Sequence, residues 1–75
     1  MKKMIVHLAY TTIIIEDLEE VWIQPASLQP TWLLCYKDAK YKSKVLYRCP
    51  NKLLLKIAGM KLLTAYVNNK KEIKI

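Results

Sequence analysis

Residues 31–49 restrict what this chain can fold into more than any other stretch. Residues 31–37 are apolar and strand-like, Asp38-Ala39-Lys40 makes a short polar turn, and residues 41–49 alternate with a period of two. On that period Tyr41, Ser43, Val45, Tyr47 and Cys49 share one side, and Lys42, Lys44, Leu46 and Arg48 the other. The spacing predicts a β-hairpin. A three-residue loop sets Lys37 opposite Tyr41 and Cys35 opposite Ser43.

The segments on either side complete the reading. Residues 3–15 are extended, with β-branched Val6, Thr11, Thr12, Ile13, Ile14 and Ile15. Tyr10-Thr11-Thr12 is either a bend between two short strands or part of one long strand. Residues 16–24 allow a short helix capped by Asp17 that puts Leu18, Val21 and Trp22 on one face. An acidic turn at 16–20 followed by a strand at 21–24 is preferred, and Pro25 ends either element. Residues 26–30 are a loop. Residues 51–67 allow a helix that starts after an Asn51 cap and ends at Gly59, or a strand at 53–57 that turns at Ala58-Gly59. Asn68-Asn69 suits a two-residue hairpin turn, because Asn tolerates positive φ, and it leads to a last strand at 71–75 with Ile73 and Ile75 inward.

These elements predict a mainly β fold: a small bent sheet, or an SH3- or OB-like barrel, of five to six short strands. The alternative is an α+β fold with one short helix at 16–24 or 52–59. Residues 1–75 make a single domain. A chain this short buries only about 60% of its unfolded surface. With 53% apolar residues, some apolar surface stays outside, which points to a homodimer or a protein partner.

Lys2 and Lys3 before the apolar residues 4–15 imitate an export signal. However, Glu16-Asp17-Leu18-Glu19-Glu20 stands where a small-residue cleavage site belongs, and the stretch is too short to span a bilayer. The expectation is a cytoplasmic protein with no membrane partner. Cys35 and Cys49 are then expected as reduced thiols, since a disulfide between them would need a strand to curl back.

Charge divides the chain. Residues 1–20 set Lys2 and Lys3 against Glu16, Asp17, Glu19 and Glu20, whereas residues 21–75 set eleven Lys/Arg against Asp38 and Glu72. The net charge is +7, and Arg48 is the only arginine among 13 basic residues. A lysine-rich composition of this kind also follows from A/T-rich coding.

The segment 36–44 interleaves rings with ammonium groups, the residue types that stack on bases and neutralise phosphates. Tyr36, Lys37, Lys40, Tyr41, Lys42, Lys44 and Arg48 are therefore the candidate nucleic-acid contacts, extended by Lys52, Lys56 and Lys61 if the fold brings them near. One arginine predicts backbone attraction to RNA or DNA with weak base readout. The competing expectation is a protein–protein interaction module, such as a phage or viral inhibitor of a host factor or a self-associating subunit. Its contacts would be the acidic Glu16, Asp17, Glu19 and Glu20 and the rings of Trp22 and Trp32.

Catalysis is not expected. One glycine excludes a Gly-rich phosphate loop, and Ser27 and Ser43 stand in no nucleophile motif. Cys35, Cys49 and His7 fall short of a four-ligand zinc set, so neither metal nor cofactor is expected.

Overall fold

A computed structural model describes residues 2–28 and 30–75. Gln29, within the loop expected at 26–30, lies outside the described residues, as does Met1. The order of elements is β1 (Lys3–His7), β2 (Thr12–Glu16), β3 (Glu20–Pro25), β4 (Trp32–Lys37), β5 (Lys44–Cys49), α1 (Lys52–Val67) and β6 (Glu72–Lys74). The fold is mainly β: among the described residues, six strands form two small sheets beside one helix, with no closed barrel.

The first sheet has the order β2-β1-β6, and the second β3-β4-β5. β1 pairs antiparallel with β2 and parallel with β6. The expected barrel fails to close because β6 returns to β1 rather than bridging the sheets, while α1 covers β3, β4 and β5. Met4, Val6, Ile15 and Ile73 of the first sheet, Leu34, Tyr36 and Leu46 of the second, and Leu55, Ala58, Leu62 and Ala65 of α1 form one core.

Residues 52–67 are helical because Leu, Lys, Ala and Met favour helix and Leu55, Ala58, Leu62 and Ala65 recur on one buried face. Asn51 caps the helix, its side chain accepting from the Leu53 N–H at 3.0 Å. Gly59 does not end the helix as expected. It is buried in mid-helix, where a Cβ would lie 3.3 Å from Leu34 Cδ1, so its lack of a side chain lets α1 sit close on β4. Asn69 does adopt positive φ (59°), but to end the helix instead of making a hairpin turn. The Asn68 N–H bonds to the Thr64 carbonyl and the Lys70 N–H to the Ala65 carbonyl.

The 31–49 hairpin forms with a shifted register. Tyr36 faces Lys44 and Cys35 faces Val45, with an irregularity at Leu34/Cys35. The reason is Asp38. It is buried, and its Oδ1 accepts from the N–H groups of Lys40 and Tyr41 at 3.0 and 2.7 Å, while Oδ2 accepts from the Glu16 N–H at 3.3 Å. This knot lengthens the turn and delays β5 to Lys44. The alternation of β5 holds at its centre, where Leu46 is buried and its neighbours Val45 and Tyr47 are exposed.

Candidate nucleic-acid interface

The long turn between β4 and β5 carries the lysines. Lys40, Lys42 and Lys44 are exposed around the half-buried Tyr41. The Lys44 ammonium lies 4.2 Å from the Tyr41 ring centre and that of Lys40 5.5 Å, both within cation–π range. Asp38, the nearest acid in sequence, is turned inward onto backbone N–H groups. Arg48 is exposed further along β5, an edge strand of its sheet. Lys37 is partly engaged, with its Nζ 4.0 Å from Glu19.

Tyr36 belongs elsewhere. Its side chain is buried in the core on β4, so it is not a ring that a base can reach. Burial, with smaller contributions from Asp38 and Tyr41, pushes its phenol up to about 12. A sequence reading finds two alternating faces for a strand but not that both are covered; the unbroken apolar run of residues 32–36 is the signal of a central strand.

Two rings that were not among the candidates are better placed. Residues 8–11, connecting β1 to β2, and residues 45–48 of β5 enclose a cleft of about 450 Å³. Tyr10 (100% exposed) and Tyr47 (44% exposed) line it together with Arg48. Nothing in the sequence brings residue 10 beside residue 47, because that contact joins two different sheets. The basic turn thus leads directly into β5, and the cleft runs along residues 45–48 of the same strand. Among the more distant lysines, Lys52 lies over the Trp32 ring at 4.6 Å, and Lys56 and Lys61 are exposed on α1.

The acidic segment is largely used within the fold. Asp17, at φ 53°, accepts from the Lys2 N–H at 2.7 Å. Glu16 lies 3.8 Å from Lys3 and Glu19 pairs with Lys37, while Glu20 is exposed at the start of β3. Trp32 is half-buried against the core. Trp22, also half-buried, donates its indole N–H to Gln24 Oε1 at 2.8 Å.

His7 ties its sheet together. Its Nδ1 is 3.1 Å from Thr12 Oγ1 on β2, and its Nε2 hydrogen-bonds Glu72 on β6. Both cysteines are free thiols, and burial pushes Cys35 up, away from the thiolate form. No group of three or more His, Cys, Asp or Glu among the described residues is arranged to hold a metal. No helix among them is long and apolar enough to cross a membrane. No protein-family model, curated protein or solved structure matches the chain.

Proposed function

We propose that the chain is a small non-catalytic binding domain for nucleic acid that holds the backbone along β5. Lys40, Lys42 and Lys44 meet phosphates at one end, Arg48 meets them at the other, and Tyr47 and Tyr10 offer faces to unpaired bases. The observation that carries this reading is the pairing, on one edge strand, of a turn with three exposed lysines and a cleft with exposed rings. Recognition rests on charge and stacking, with little base readout, as expected of a site with a single arginine.

Binding of labelled single-stranded and double-stranded oligonucleotides over a salt series tests it. Four cations on a single strand predict a log–log salt slope of about −3. Lys42→Glu with Lys44→Glu should abolish binding and leave the fold intact by circular dichroism, because both side chains are exposed. No binding to any oligonucleotide at about 50 mM salt ends the proposal.

A second reading, a protein-interaction module, is favoured by one specific observation. The outer face of α1 is apolar, with Leu53, Leu54, Ile57, Met60, Leu63 and Val67 all exposed.

A further inference from the structure

The outer face of α1 has an order that its composition hides. Leu53, Ile57, Met60, Thr64 and Val67 follow one another at steps of four and three residues, so they form one ridge along the helix. Met60 and Val67 are 67% and 71% exposed. By helical geometry Lys52 and Lys56 border this ridge on one side and Lys61 on the other. The helix contains no acidic residue.

Beside the ridge runs a groove of about 280 Å³ between α1 and β3. Lys56, Met60 and Leu63 form one wall, and Val21, Trp22 and Ile23 the other. Gly59 lies in the floor, where its missing side chain keeps the groove open beside Leu34. β3 is an edge strand, so no further strand of its sheet lies beyond that wall.

We infer that this ridge and groove bind an amphipathic helix of a partner protein, apolar on one face and acidic along its borders. The inference rests on the interaction-module reading and assigns its partner. Spacing of four and three residues is what a second helix packs against, ridge into groove. Lys61 on the outer border and Lys52 and Lys56 between ridge and groove, with no acid on the helix, select carboxylates on the occupant. A second copy of this chain is disfavoured. Its one helix among the described residues has lysines and no acids, so two such helices would oppose like charges. A lipid surface is also disfavoured, because a plane cannot fill a concave groove or reach Trp22 in its wall.

The test uses two synthetic peptides matched to α1 in length, each with leucines at helical spacing. One carries Glu along both borders, the other Lys. Fluorescence anisotropy should show the Glu peptide binding at least about tenfold more tightly than the Lys peptide. Met60→Ser with Leu63→Ser should weaken the Glu peptide by about tenfold or more, as loss of buried anchors does. Both side chains are exposed, so circular dichroism should stay unchanged. Lys56→Glu with Lys61→Glu should reverse the preference between the two peptides. The oligonucleotide assay on these same variants separates the two sites: binding there should survive the serine changes and be lost with Lys42→Glu and Lys44→Glu. Equal affinity for both peptides, or none for either, overturns the inference. So does a concentration-dependent dimer, or tight binding to phosphatidylserine vesicles, that disappears with Met60→Ser and Leu63→Ser.

Discussion

At the scale of single residues, Tyr36 and Asp38 show how a buried polar group shapes what lies outside it. Asp38 anchors the turn that presents Lys40, Lys42 and Lys44, and Tyr36 sits two residues earlier in the core. The phenol of Tyr36 ionises near 10 when free and near 12 when folded, so the folded state retains its proton longer than the unfolded state. Its contribution to stability is complete below pH 10 and is lost as the pH rises towards 12. Urea unfolding at about pH 8 and about pH 11 should therefore show a loss of about 1 kcal/mol from this group. The Tyr36→Phe variant should lack that part of the loss; an identical pH dependence in both proteins would contradict the assignment. The sequence located a turn with exposed lysines but not the burial of Tyr36. The lysines were legible because a charged side chain has few places to go but outward. Tyr36 was not, since tyrosine serves equally well in a core and at a surface.

At the scale of elements, the chain shows which local signals survive packing. The acidic turn before β3 and the last strand were legible from charge, alternation and β-branching, and the break at Tyr10-Thr11-Thr12 only as one of two options. The helix was legible only as one of two options, because a run such as Leu53-Leu54-Leu55 suits either period. Its length was not legible at all. A mid-helix glycine costs about 1 kcal/mol relative to alanine, too little to stop a helix held by a buried face. The structure turns that small cost to use, because Gly59 admits Leu34. Two effects then oppose each other in Gly59→Ala: gained helix propensity, and a methyl 3.3 Å from Leu34 Cδ1 and 3.7 Å from Val21 Cγ1. They should nearly cancel, leaving stability within about 1 kcal/mol of the parent in urea unfolding. Gly59→Leu has no such balance and should cost about 3 kcal/mol, since it overfills the contact between α1 and β4. A neutral Gly59→Leu would mean that the helix does not sit this close.

At the scale of the whole molecule, the +7 charge acts on folding and on binding with opposite signs. Among the described residues only a few surface ion pairs offset it, and exposed pairs contribute little. Packing thirteen Lys and Arg side chains onto so small a surface raises their mutual repulsion in the folded state. Salt screens that repulsion over a length of about 10 Å at 0.1 M. Raising sodium chloride should move the urea midpoint upward while it weakens oligonucleotide binding. Stability that falls with added salt would show that the few attractive pairs outweigh the repulsion. The division into two sheets was the least legible property of all, because it depends on which strand β6 pairs with, and alternation within a strand does not name its partner.

That choice of partner bears on how the molecule assembles. Residues 20–67 form the second sheet and its helix from neighbours in sequence, so this middle part needs only short loops to close. The first sheet is different: β1 must wait for β6, with Ile5 paired to Glu72 and His7 to Lys74 across nearly the whole chain. Pairings at such separation form slowly, and parallel ones slowest. On a ribosome, the middle of the chain can gather while β1 and β2 remain a hairpin with one side open. The inner face of that hairpin, with Met4, Val6 and Ile15, shares a core with Leu34, Tyr36 and Leu62 of the middle part, but the edge of β1 stays unpaired until β6 docks, and an unpaired edge is the part of such an intermediate most exposed to aggregation.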